Sequence, residues 1–191
     1  MPERTIDFGK FGARGIKGSD AVIRRLDALA GGIVTTVTVK RGLMARLHYL
    51  TKTGHSLAAA QDAGLTVTDR TLQAWLEGTC RPSKANLERI DAAYSAVRRR
   101  NVARHLLAPL SREGRGTRVE IHPLNHSQVA RPLQRVVEYR TMNVRRWDRI
   151  VDAWAAGDVQ GLDEEWTTDV LPDLGSQWGQ YGYVTNIGFA A

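Results

Sequence analysis

The sequence predicts an α+β fold, mainly α: a helix-turn-helix bundle followed by a β-hairpin and C-terminal helices. Three observations carry this. Between residues 42 and 100, apolar residues recur at three- and four-residue spacing in four short runs, punctuated by Gly, Ser and Asp. After Pro109 a polar, Gly-containing linker, SREGRG, leads into TRVEIH (117–122) and QRVVEYR (134–140), which alternate as strands do. Beyond them, residues 143–156 return to helical spacing.

In chain order, residues 1–18 read as a flexible basic arm, with Gly9, Gly12, Gly15 and Gly18 at every third position among Phe8, Lys10, Phe11, Arg14 and Lys17. No GK[ST] follows the glycines at P-loop spacing, so the arm is no phosphate-binding loop. A helix capped by Ser19 buries Val22, Ile23, Leu26 and Leu29 and ends at Gly31–Gly32. IVTTVTVK (33–40) is β-branched with a period near two, which predicts a short strand. Helices are expected at 42–53, at 56–64 (capped by Ser56, closed by Gly64), at 69–77 and at 83–100, where Leu87, Ile90, Tyr94 and Val97 form the inward stripe. The hairpin tip is PLNHSQVARPL. An amphipathic helix over 143–156 turns Val144, Trp147, Ile150, Val151 and Trp154 inward, and a shorter one buries Val159, Leu162 and Trp166. Tyr181–Phe189 reads as a strand that closes the sheet. The implied domains are the arm, a helical DNA-binding domain over 19–108 with its helix-turn-helix at 56–77, and an interaction or oligomerisation domain over 117–191.

Charge narrows the partners. The net +7 is unevenly spread: all 27 Lys and Arg lie in residues 1–149 against 13 Asp and Glu, a balance of +14, while 150–191 carries 7 acids and no base. A basic body suits a polyanion, nucleic acid first among them, and the acidic tail suits shielding or a basic patch on a neighbouring subunit. One cysteine, Cys80, excludes an intrachain disulfide and a four-cysteine zinc site, and fits a reducing cytoplasm. The two uncharged stretches, Ala28–Val39 and Leu174–Ala191, are too short or too rich in Gly, Gln and Asn to span a bilayer, so no membrane partner is expected.

The four central helices follow helix-turn-helix logic. Ala59 and Ala60 allow a close crossing, Gly64 supplies the turn, Leu65 fills the core beneath it, and Leu72 and Trp75 anchor the second helix. The N-terminal residues of that helix are then free to enter a major groove. Thr68, Arg70, Thr71 and Gln73 are the candidate base contacts, with Asp69 and Ala74 on the same side; Arg suits guanine and Gln adenine. Ser56, Arg81, Lys84, Arg98, Arg99, Arg100, Arg104 and Arg131 are the candidate phosphate contacts. Arg115, Arg118 and Arg135 extend the basic set, and Arg131 at the hairpin tip suits a wing.

Catalysis finds little support. His122 and His126 are four apart, but Pro123 between them keeps them off one helical turn and no Glu follows His122 as a metalloprotease requires; the run Asp163–Glu165 has no separated partner for acid–base work, and Cys80 sits between helices. No metal, cofactor or small-molecule ligand is indicated. Trp178, beside Tyr181 and Tyr183, suits subunit packing better than base stacking, because no positive charge accompanies it.

AAAQDAGL, RTLQAWLEG and RPS together resemble helix-turn-helix proteins of the broad repressor type. TLQAWLEGTCRPSKANLERIDAAY is similar, more specifically, to the helix-turn-helix segment of terminal proteins and related replication or regulatory proteins from linear replicons and plasmids of actinomycetes. The resemblance covers roughly residues 43–105. It departs in one respect: Leu72 is eight residues after Gly64 and Trp75 eleven, so the turn TVTD is about two residues longer than the common form. The resemblance implies a non-enzymatic, sequence-preferring double-stranded DNA-binding protein, a homo-oligomer, serving transcriptional regulation or replicon maintenance. Two further expectations stand beside it: a terminal protein joined covalently to DNA ends whose Ser, Thr or Tyr primes replication, and a structural protein that coats nucleic acid through its arm and tail.

Overall fold

The computed structural model describes residues 10–189, with the side chains of 10 and 176–180 excepted. It is 61% helical and 13% strand, with seven α-helices and a four-stranded antiparallel sheet among the described residues, the α+β, mainly α class that the sequence predicts. The chain divides into two compact units, Ala30–Val102 and Met1–Leu29 with Ala103–Ala191. The first helix therefore clusters with the C-terminal part of the chain, whereas its sequence position suggested the helical domain.

The unit Ala30–Val102 holds α2 (Lys40–Thr51), α3 (Gly54–Asp62), α4 (Asp69–Glu77) and most of α5 (Lys84–Ser111). Its core is Leu43, Leu47, Leu50, Ala60, Leu65, Leu72, Trp75, Leu87, Ile90, Ala93, Tyr94 and Val97. Along α2, α4 and α5 these recur at three- and four-residue spacing, one buried stripe per helix, while Ala60 of α3 and Leu65 in the turn after it complete the core. α5 is longer than its apolar stripe suggested and runs past Pro109, which has no N–H to give the His105 carbonyl and stands two residues before the helix ends.

The expected strand at 33–40 does not form. Residues 31–39 are an irregular connection, with Val34 96% exposed and Ile33 and Val37 packed against the core. β-branched residues make a strand only where a neighbouring strand satisfies their backbone. Here a side chain does so instead: buried Arg46 donates from Nη1 to the carbonyls of Thr35 (2.6 Å) and Gly42 (3.1 Å) and from Nη2 to that of Ile33 (3.3 Å). Its Nε meets Asp91 Oδ1 at 2.6 Å and its guanidinium lies over the Tyr94 ring. Tyr94 Oη accepts from Ile33 N at 2.9 Å.

Gly42 is where this connection touches α2: a Cβ there would meet the carbonyl oxygens of Thr36 and, at 2.6 Å, Thr35. Helix propensity alone favours Ala over Gly by about 1 kcal/mol. The clash reverses the sign, so Gly42→Ala is expected to destabilise the protein by about 1–3 kcal/mol in urea unfolding, and a gain in stability would contradict this packing.

The other unit contains α1 (Gly18–Ala30, less its last residue), α6 (Trp147–Ala156), α7 (Val159–Glu165) and the sheet of β1 (Ile16–Lys17), β2 (Thr117–Pro123), β3 (Arg140–Val144) and β4 (Tyr183–Phe189), in the order β1-β4-β2-β3. Trp147, Trp154, Trp166, Tyr181, Leu26, Ile121, Ile150 and Leu162 fill its core. Ser19 is buried and donates to Asp163, and Trp154 Nε1 donates to Asp27, while Leu29, expected inside, is exposed. Residues 10–18 are not a free arm: Arg14 bridges Asn125 and Ile16–Lys17 pair with β4; the earlier part of the arm lies outside the described residues. The second hairpin strand is 140–144 rather than 134–140, paired from Thr117↔Val144 to Ile121↔Arg140. Alternation decides the register: Met142 and Val144 point the same way as Val119 and Thr117, whereas adjacent Val136 and Val137 can offer only one side chain to a face, and Val136 is exposed. α6 consequently starts at Trp147, after the strand, not at Asn143.

Candidate nucleic-acid interface

α3 ends because Gly64 adopts φ +97°, a conformation that favours glycine. Leu65 N then donates to Ala60 O and Gly64 N to Gln61 O, satisfying the last carbonyls, and Leu65 and Ala60 meet in the core. The residues that lengthen the turn fold against the bundle, with Thr66 N bonded to Gly64 O and Val67 packed on the core. Thr68 caps α4, its Oγ1 accepting from Thr71 N at 3.3 Å and sharing a hydrogen bond with Thr71 Oγ1 at 2.9 Å. Gly78, φ +74°, ends α4 in the same manner as Gly64 ends α3.

This geometry sorts the four candidate base contacts. Leu72 and Trp75 are buried, and Arg70 and Gln73, three residues apart and therefore on one side of α4, are exposed. Thr68 and Thr71 differ: their hydroxyls are committed to each other and to the cap, so they set the start of the helix rather than reach outward.

The phosphate candidates divide as well. Ser56 does not cap α3; Thr53 does, accepting from Ser56 N at 3.0 Å, and the Ser56 hydroxyl bonds that of Thr53. The helix begins two residues early because Gly54 and His55 complete its first turn. Arg98 donates to Ala30 O at 2.7 Å and is partly buried, so it closes the end of α1 instead of facing solvent. Arg81 donates to Thr38 O at 3.1 Å while remaining exposed. Arg99 is partly buried. Lys84, on the first turn of α5 behind the Ser83 cap, and Arg100 are exposed in the same unit as α4. Arg104 and Arg131 are exposed in the other unit. The unit that carries α4 holds eleven Lys and Arg against five Asp and Glu, a net +6.

In the other unit the sheet has one buried and one bare face. Arg118 pairs in register with Asn143, Glu120 with Thr141 and Gly188, and His122 with Asn186, all on the side opposite Val119 and Ile121. At one end of this face an open groove of about 660 Å³ is lined by Ala108, Pro109, Arg112, Glu113, Arg115, Gly116, Arg118 and Asn143. Arg112 and Asn143 were missed from the sequence; arginine at 112, 115 and 118, every third residue, was the available signal. Elsewhere burial holds the Glu165 carboxyl above its usual range, reinforced by a hydrogen bond with Asp169 and opposed by Arg149, which lies 3.5 Å from both carboxylates.

Among the described residues no three His, Cys, Asp or Glu side chains are grouped to hold a metal ion, and no helix is long and apolar enough to cross a membrane. The Trp178 side chain lies outside the described residues. In comparison with known proteins, no family model, no curated protein and no solved structure matches this chain.

Proposed function

We propose that this protein is a non-enzymatic double-stranded DNA-binding protein that reads sequence through α4 and serves transcriptional regulation or replicon maintenance. The observation that carries the reading is the division of α4: Leu72 and Trp75 lock one face into the core, while Arg70 and Gln73 stand exposed three residues apart on a capped helix. Such a helix offers a guanine-reading and an adenine-reading side chain to a major groove. The net +6 of its unit, with Lys84 and Arg100 exposed, supplies the backbone attraction that positions a reading helix. We place the protein in the cytoplasm and infer a homo-oligomer, since paired half-sites are the usual way for a short reading helix to gain affinity.

The test is selection of a preferred duplex from a random pool by the full chain, followed by titration of the selected and scrambled sequences over a range of salt. The selected duplex should bind at least about a hundredfold more tightly than the scrambled one, and log K should fall linearly with log salt. Equal affinity for both sequences would overturn the reading.

A further inference from the structure

We propose that the bare face of the sheet, with the arginine-lined groove at its end, is a separate binding site for single-stranded nucleic acid. It goes beyond the reading of α4 and does not depend on it, because every residue involved belongs to the other unit.

The groove comes from the sharp reversal between α5 and β2. Arg112 (φ 45°), Glu113 (φ 56°) and Gly114 (φ 86°) are three successive residues in the left-handed region. Non-glycine residues hold that conformation only where their surroundings enforce it, a pattern that concentrates at functional sites. The reversal sets Arg112, Arg115 and Arg118 around one opening. Arg115 contacts Glu113 at 3.8 Å, but the guanidinium groups of Arg112 and Arg118 have no ion-pair partner among the described residues. Unpaired guanidinium groups around an open groove suit a phosphodiester backbone.

The groove continues onto the sheet, since Arg118 and Asn143 belong to both. Further along β2, the His122 ring is stacked on that of Tyr139, with centroids 5.4 Å apart and planes 21° from parallel. Tyr139 is 57% exposed although His122 covers one side of its ring. Arg118 and His122 are four residues apart on one strand, about 14 Å, which leaves more than one nucleotide between a held phosphate and a stacked base. Glu120 lies between them on the same face, with its carboxylate 3.9 Å from His122 Nε2. Unpaired arginine on the same face as an exposed ring, a few nucleotide lengths of backbone or less away, favours a single strand over a duplex, because only unpaired bases offer their faces for stacking.

Fluorescence anisotropy of the full chain with a labelled oligothymidylate, which cannot pair with itself, tests the proposal. Arg118→Ala combined with Tyr139→Ala should weaken binding at least tenfold, while Tyr139→Phe keeps the stack and the affinity. Arg70→Ala with Gln73→Ala should leave oligothymidylate binding unchanged. Circular dichroism of each variant checks that these exposed substitutions leave the fold intact. The site is refuted if the parent does not bind oligothymidylate, if the Arg118/Tyr139 variant binds it as the parent does, or if that variant loses duplex and single strand equally.

Discussion

Trp75→Ala should lower the melting temperature of the Ala30–Val102 unit by at least about 12 °C. Trp75 is 3% exposed and sits among Leu43, Leu47, Leu65, Leu72 and Ile90 in one core cluster. Removing a buried tryptophan costs about 3–5 kcal/mol, and each kcal/mol shifts a domain of this size by about 4–8 °C. Domain stabilities are only about 5–15 kcal/mol, so this single change removes a large share of what holds α4 in place. Trp75→Phe, which keeps a large ring in the site, should lose markedly less. The remaining four tryptophans lie at 147 and beyond, so their fluorescence reports on the other unit, and circular dichroism follows the loss of the helices around position 75. An unchanged melting curve for Trp75→Ala would mean that the helix is anchored by something other than its ring.

That anchoring was legible in the sequence, and so was much of the bundle. Leu72 and Trp75, Gly64 and Gly78 are local signals: helical spacing and a left-handed terminus are set within a few residues, and the structure has them where the spacing puts them. What failed depended on partners distant in sequence. IVTTVTVK has every local mark of a strand, yet its Ile33 and Thr35 carbonyls are taken by the side chain of Arg46 in the following helix. The same reason removes Arg98 from the phosphate set, since Ala30 O lies sixty-eight positions away. β3 was misplaced because hairpin register depends on which side chains of two strands share a face, and QRVVEYR offers no better inward pair than RTMNV. Short-range competition explains Thr68 and Thr71, whose hydroxyls serve the cap before they can serve a base. Ser56 was displaced more simply, because a threonine three residues upstream caps the helix.

Arg70→Ala combined with Gln73→Ala should reduce affinity for the preferred duplex at least about thirtyfold while leaving scrambled DNA nearly unaffected. A good bidentate base contact is worth about 1–3 kcal/mol of discrimination, so two such contacts supply about 2–6 kcal/mol. Both side chains are exposed, and α4 is held by Leu72, Trp75 and the Thr68 cap, so the fold should survive the change. Salt dependence then separates the roles. Each phosphate contact contributes about −0.9 to the slope of log K against log salt, whereas a side chain reading a base edge contributes little. Lys84→Ala or Arg100→Ala should therefore weaken all sequences alike and reduce the slope by about 0.9, leaving discrimination intact. The Arg70/Gln73 variant should do the opposite: lose discrimination and keep the slope. If its slope falls instead and its sequence preference persists, Arg70 is a backbone contact, and α4 lies across the phosphates rather than in the groove.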